Sequence, residues 1–188
     1  ADRMRPRELS EFVGQEKILS EESLLGVARK SQTLPSLILW GPPGVGKTTL
    51  ALLLAREFEA EFVQLSAVGS GIKELRAVFS SAEERKREGR KTILFVDEVH
   101  RWNKSQQDAL LPHVERGTII LIGATTENPS FEVNPALLSR TQVIVLSALS
   151  SDHIEALLRR AILDEELGLG KKRVSVEDAA IRMMAELS

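Results

Sequence analysis

Residues 41–48 read Gly-Pro-Pro-Gly-Val-Gly-Lys-Thr, and they fill every fixed position of the phosphate-cradling pattern G-x-x-x-x-G-K-[ST]. An apolar run, Leu37 to Trp40, precedes them, and a mostly apolar stretch, Thr48 to Phe58, follows. The spacing predicts a loop joining a buried strand to a helix N-terminus. That is the chemistry of a nucleoside triphosphate site. Gly44 and Gly46 let the backbone turn its N–H groups inward, with Gly41, Pro42, Pro43 and Val45 completing the loop. The helix dipole adds roughly half a positive charge where the phosphates would lie. Lys47 is expected to reach the β- and γ-phosphates. Thr48, with Thr49 beside it in the first helical turn, offers a hydroxyl to Mg2+.

A second apolar run, Thr92 to Val96, ends in two adjacent carboxylates, Asp97 and Glu98. Beside a phosphate loop, Asp97 is the expected metal-side acid and Glu98 the group that orients and polarises the attacking water. Asp97-Glu98-Val99-His100 also spells the D-E-x-H of a large helicase superfamily. Those enzymes close ATP between two lobes, and 188 residues with one phosphate loop hold a single lobe; His100 is therefore read as the start of the loop after the strand. The run Ile119 to Ala124 ends in Thr125-Thr126-Glu127-Asn128. A hydroxyl or amide there can touch the γ-phosphate and the lytic water, with Thr125 the first choice and Thr126 or Asn128 the alternatives. Arg140 follows a short helix and precedes the last strand. It cannot easily reach its own nucleotide, but in a ring it could enter a neighbour's site, where such a finger contributes roughly 10³- to 10⁵-fold in rate.

These groups need a scaffold. Phe62 to Leu65, Thr92 to Val96, Thr118 to Ile122 and Gln142 to Leu146 are short β-rich runs separated by helix-length segments. The alternation predicts an α/β fold with a parallel sheet covered on both faces, five strands in all. Helices are expected over Ile72 to Glu88, stopped by Gly89, and over Ser105 to Glu115, kinked by Pro112. After Leu146 only helices are expected: Asp152 to Leu167, broken by Gly168-Leu-Gly170, and one opened by Ser175-Val-Glu-Asp and running to the last residue. The expected division is a nucleotide-binding core over 1–147 and a partial helical lid over 148–188, as if cut from a longer protein.

Composition narrows the partners. The apolar fraction of 43% and charged fraction of 28% are those of a globular protein, and the absence of cysteine excludes a disulfide scaffold or a Cys-bound zinc. No apolar stretch approaches a membrane span, and the N-terminal residues lack a leader's apolar core, so the expectation is a cytoplasmic protein with no membrane partner. A net charge of −2 gives no global pull toward nucleic acid. Local basic runs remain: Arg85-Lys86-Arg87 with Arg90-Lys91, Arg101 with Lys104, and Lys171-Lys172-Arg173. Each is either a nucleic-acid contact or a solvated surface run.

Together these residues resemble an AAA+ ATPase, a P-loop NTPase three-layer sandwich, of the clamp-loader-like clade. ILWGPPGVGKTTLA, TILFVDEVHRWNKSQQDALLPHVE and GTIILIGATTENPSFEVNPALLSR resemble the RarA/MgsA family of replication-associated recombination proteins, whose eukaryotic relative is the Werner-helicase-interacting protein. The resemblance runs from Met4-Arg5-Pro6 to about Leu146. It implies ATP hydrolysis with Mg2+, a homo-oligomer, and action on DNA at single-strand/double-strand junctions, ends or stalled forks. Single-strand-binding protein and replisome components are implied partners, in a bacterial, nucleoid-associated setting. It makes Arg5, Pro6, Phe12 and Val13, with Gly14-Gln15, the box that holds adenine. Lys47 and Thr48 become the Walker A pair, Asp97 and Glu98 the Walker B pair, Thr125 sensor 1 and Arg140 the trans-acting finger. Ser66 would restrain the catalytic glutamate. The helix start Gly71-Ile72-Lys73 either meets a DNA phosphate or is simply capped, and Trp102 is either a stacking platform or a packing anchor. The family's sensor 2 arginine has no counterpart here, which implies weak hydrolysis by this chain. Two other uses of the same site are a Holliday-junction branch-migration motor and a nucleotide-gated recruitment module with hydrolysis as a timer.

Overall fold

The structure is a computed structural model that describes residues 2–172 and 174–187; Arg173 of the last basic run, and Ser188, lie outside the described residues. Five strands, β1 (Leu37–Trp40), β2 (Ala60–Ser66), β3 (Lys91–Asp97), β4 (Ile120–Thr125) and β5 (Gln142–Val145), form one sheet in the order β2-β3-β4-β1-β5. Every pairing is parallel. The central strands are apolar at consecutive positions because side chains alternate and both faces are covered. Leu37, Leu39, Ile93, Phe95 and Ile122 pack with α2 (Leu24–Ser31) and α3 (Lys47–Glu57) on one face. Ile38, Leu94, Val96 and Leu121 pack with Leu75, Phe79 and Ala82 of α4 (Ile72–Arg87) on the other. A short α1 (Glu16–Leu19) leads into α2.

Three expected helices end differently. The segment Ser105–Glu115 is two helices, α5 (Lys104–Asp108) and α6 (Leu111–Glu115), with Pro112 in the first turn of the second. Proline is accommodated there because its missing N–H lies at a position that has no helical partner anyway. Two more short helices, α7 (Pro129–Glu132) and α8 (Pro135–Leu138), each start with proline behind an asparagine cap. Helix α9 (Ser151–Leu163) stops four residues before the expected Leu167. The Asp164 carboxylate accepts the N–H groups of Glu166, Leu167 and Gly168 at 2.9, 2.7 and 3.3 Å, offering the backbone a turn in place of the helix. Those bonds hold the Asp164 carboxyl below its ordinary range, the Leu167 N–H foremost. Gly168 and Gly170 are needed for close packing, since a Cβ would sit 2.3 Å from Ala161 O or 2.6 Å from Leu163 O. The last helix, α10 (Asp178–Glu186), begins after Glu177, and Ser175 does not cap it.

The N-terminal segment ties this helical end to the sheet. Buried Gln15 donates to Ser147 O at 2.8 Å and accepts from Ser147 N at 3.2 Å. Glu11 pairs with Arg160 of α9 at 2.9 Å, and Arg3 donates to the carbonyls of Leu167 and Gly168. Arg56 of α3 reaches Arg7 O at 3.4 Å. The buried amide pair carries most of this clasp, because the ion pair is one-third exposed and screened. Gln15→Ala leaves two backbone groups at Ser147 without partners and is expected to lower stability by about 2 kcal/mol in urea unfolding, whereas Arg160→Ala shifts it by less than half of that.

Candidate active site

In a parallel sheet all strands deliver their C-terminal ends to one edge. Trp40 of β1 lies level with Thr125 of β4, and Val96 of β3 with Gly123. The glycine loop, the Asp97-Glu98 pair and the Thr125-Thr126 tip therefore leave the sheet side by side, and open α/β sheets bind ligands at such an edge.

The loop is held in position at both ends. Gly41 N donates to Thr125 O at 3.2 Å, and a Cβ on Gly41 would stand 2.5 Å from Leu146 O. Gly46 caps α3 with φ +96°, a conformation open to glycine, and a Cβ there would strike the Phe12 ring at 2.8 Å. Lys47 is 8% exposed and folds back so that Nζ donates to Gly41 O at 2.7 Å and Pro42 O at 2.8 Å. Burial pushes its pKa down, and the nearby Glu98 and Asp97 carboxylates oppose the shift. A buried cation held by its own loop's carbonyls, beside the N–H groups of a helix N-terminus, is a receptor for a polyanion.

Asp97 ends β3 and Glu98 follows it, both half-buried. Among the described residues, neither the Thr48 hydroxyl nor the Asp97 carboxylate is engaged in a side-chain hydrogen bond, so both oxygens are available to a divalent cation. One hydroxyl and one carboxylate suit Mg2+, which takes its remaining ligands from water and substrate phosphates. Glu98 adopts a left-handed conformation, φ 53° and ψ 47°, at a cost of about 1 kcal/mol for a residue with a Cβ. This turns the chain from β3 into a 3-10 turn, Val99–Arg101. The turn carries His100 back so that Nε2 lies 3.4 Å from Glu98 Oε2 and Nδ1 lies 2.9 Å from Thr125 Oγ1.

That geometry gives the two hydroxyls of the β4 tip different partners. Thr125 is fully buried, its hydroxyl engaged by His100 and by the Glu127 backbone. Thr126 carries the hydroxyl that faces Glu98, 3.5 Å from Oε2, and Asn128 caps α7. Ser66 makes no side-chain bond to Glu98; its carbonyl instead accepts the N–H groups of Gly69 and Ser70. Trp102 is 2% exposed and donates to Ser70 O at 3.0 Å, making it a packing anchor. The Gly71 N–H is occupied by the Glu74 carboxylate at 2.8 Å, a capped helix start with Lys73 exposed.

Beyond the glycine loop lies a mostly apolar cleft of about 530 Å³. Arg5, Pro6, Phe12 and Val13 line it, with Leu149, Ile154 and Leu157 forming the opposite wall. The wall on α9 was not identified from the sequence, although the apolar spacing of that helix was its signal. Arg140 is not part of this assembly. It precedes β5, whose Gln142 lies level with Leu37 at the start of β1. It therefore sits at the opposite edge of the sheet, roughly 13 Å away along a four-residue strand. There it pairs with Glu115 at 2.5 Å and donates to Ala136 O at 2.7 Å.

A glycine-rich loop between β1 and α3, an acidic β3 tip and strand order 2-3-4-1-5 define a P-loop nucleotide-binding protein. Residues 37–149 match the ATPase family associated with various cellular activities (AAA), and the chain belongs to that family. Within it, the chain is 52% identical over 187 residues to replication-associated recombination protein A of Escherichia coli K12, covering 100% of this chain and 42% of that protein. It is 48% identical over 188 residues to ATPase WRNIP1 of Dictyostelium discoideum, covering 100% of this chain and 21% of that protein. The chain thus spans less than half the length of these relatives. Among solved structures, the Thermotoga maritima RuvB Holliday junction branch migration motor superposes with a TM-score of 0.78 at 31% identity, covering 97% of this chain and 59% of that one. Among the described residues, no helix is long and apolar enough to cross a membrane.

Gly46→Ala forces both an unfavourable φ and a collision with Phe12. Titration with a fluorescent ATP analogue is expected to show affinity reduced by about tenfold or more, equivalent to about 1.4 kcal/mol.

Proposed function

We propose that this chain is the ATP-hydrolysing engine of a protein that acts on DNA in replication-associated recombination and repair. The observation that carries this reading is the division of the machinery between the two edges of the sheet. Lys47, Asp97 and Glu98 stand at one edge, and Arg140 stands at the other. In this reading the loop N–H groups and Lys47 hold the triphosphate, and the apolar cleft takes adenine. Thr48 and Asp97 hold Mg2+, which when bound neutralises charge on the phosphates. Glu98 polarises the attacking water, with Thr126 as the polar group at the β4 tip. Arg140 acts on the nucleotide of an adjacent protomer, which makes a homo-oligomer part of the mechanism. Residues 1–147 form the nucleotide core and 148–188 the start of a lid over it.

Identity to a protein named for replication-associated recombination supports DNA as the object of this activity; single-strand/double-strand junctions, ends and forks are the proposed DNA substrates. Replisome proteins and single-strand-binding protein are the proposed partners, and the bacterial cytoplasm beside the nucleoid the proposed compartment. The likeness to RuvB favours a second reading, branch migration, which would require preference for a four-way junction over a primed single strand.

Steady-state hydrolysis per protomer is expected to rise with protein concentration and with an added single-strand/double-strand junction. Arg140→Ala is expected to lower it by roughly 10³-fold while leaving ATP affinity unchanged. Hydrolysis that is flat in concentration, indifferent to DNA and insensitive to Arg140→Ala contradicts the shared-site mechanism.

A further inference from the structure

We propose that His100 is the positioning residue of Glu98. Its imidazole, held by Thr125 in the tautomer that carries hydrogen on Nε2, steers the Glu98 carboxylate toward the attacking water. This rests on the reading of Glu98 as the water-polarising group.

The bonding pattern selects the tautomer. The Thr125 hydroxyl already accepts the Glu127 N–H at 3.0 Å. Its single hydrogen then goes to His100 Nδ1 at 2.9 Å or to Glu127 O at 3.2 Å. A neutral imidazole has one donor and one acceptor nitrogen. With the hydrogen on Nε2, Thr125 donates to Nδ1 and the N–H lies on the side of the ring nearer Glu98, whose Oε2 is 3.4 Å from Nε2, within ion-pair reach but not yet a formed hydrogen bond. With the hydrogen on Nδ1, the Nε2 lone pair would face a carboxylate oxygen 3.4 Å away, which is repulsive. The hydrogen bonds from Glu127 N–H to Thr125 and from Thr125 to His100 run in one direction and leave the Nε2 hydrogen on the Glu98 side. The 3.4 Å approach is longer than an aligned bond, as expected of a catalytic contact that tightens when substrate is in place.

Everything around the ring fixes it. The His100 side chain is 8% exposed and Thr125 is fully buried. The 3-10 turn is closed by Arg101 N donating to Glu98 O at 2.8 Å and Trp102 N to Val99 O at 3.2 Å. Trp102 then anchors to Ser70 O. Val99 is seated directly on β4, where a Cβ on Gly123 would be 3.2 Å from its Cγ1. With the left-handed backbone at Glu98, the turn holds His100 and Glu98 together as one rigid unit. Ser66, the residue expected to restrain Glu98, makes no side-chain bond to it here.

The two ring nitrogens can be tested separately, because an Asn amide reaches about as far as Nδ1 and a Gln amide as far as Nε2. Single-turnover ATP hydrolysis with protein in excess, alongside ATP affinity, is measured for His100→Asn, His100→Gln, His100→Ala and Thr125→Val. His100→Ala, His100→Asn and Thr125→Val are expected to slow hydrolysis by roughly 10- to 100-fold with ATP affinity unchanged, and His100→Gln to restore most of the rate. Long-range proton–nitrogen correlation of the histidine side chains reads the tautomer without turnover. His100 is expected as the Nε2-protonated ring, and Thr125→Val is expected to mix the tautomers. A Nδ1-protonated ring, a wild-type or faster rate in His100→Ala, or a Gln variant no better than Ala overturns the proposal. Glu98→Gln separates the two levels: if it hydrolyses ATP at the wild-type rate, the assignment of Glu98 itself fails, whatever the His100 variants do.

Discussion

Parallel pairing is the constraint on which the rest depends. Because all five strands run the same way, each crossover must return to the far edge of the sheet, and all the C-terminal ends emerge together. Past those ends the backbone has no strand partner, and its groups must be satisfied otherwise. Gly41 N finds Thr125 O, the carbonyls of Gly41 and Pro42 find the Lys47 ammonium, and the first turn of α3 keeps its N–H groups for a ligand. The same edge that solves a folding problem gathers one cation, two carboxylates and a row of donors into a small space.

The cation is held in a reversible way. Two neutral carbonyls are adequate partners for a buried ammonium, yet weaker than a polyphosphate, so Lys47 has a better option whenever a nucleotide enters. Burial lowers the proton affinity of Lys47 and the Asp97-Glu98 pair opposes that change. On the other side of the loop, Phe12 lies against Gly46 and Gln15 bonds to Ser147. The N-terminal segment thus touches both the loop and the beginning of the helical end. The apolar cleft between them is bounded by the loop, by this segment and by α9.

What the sequence revealed was what neighbouring residues decide among themselves. The glycine loop is legible because its function is carried by backbone and by one lysine at fixed spacing. Asp97 and Glu98 are legible because they interrupt an apolar strand. The contacts of Thr125 and His100 were not legible. They depend on a left-handed turn at Glu98, a conformation that glutamate seldom adopts and that spacing does not announce. The turn folds His100 back across the edge, so the first threonine of the pair serves the histidine and the second faces the carboxylate. The end of α9 was missed because Asp164 competes with the helix for three N–H groups, while Gly168-Leu-Gly170 looked like the stronger stop. Arg140 was placed at a distance from its own site by its position just before the last strand, and the register of β5 against β1 puts it at the far edge of the sheet.

The most direct test of this account is a crystal structure of the chain with Mg2+ and a non-hydrolysable ATP analogue. The triphosphate is expected against the N–H groups of Gly44 to Thr48, with Lys47 Nζ moved from the Gly41 and Pro42 carbonyls onto the β- and γ-phosphate oxygens. Adenine should lie between Val13 and Ile154. A nucleotide bound elsewhere, or one bound here with Lys47 still on its own loop's carbonyls, would contradict it.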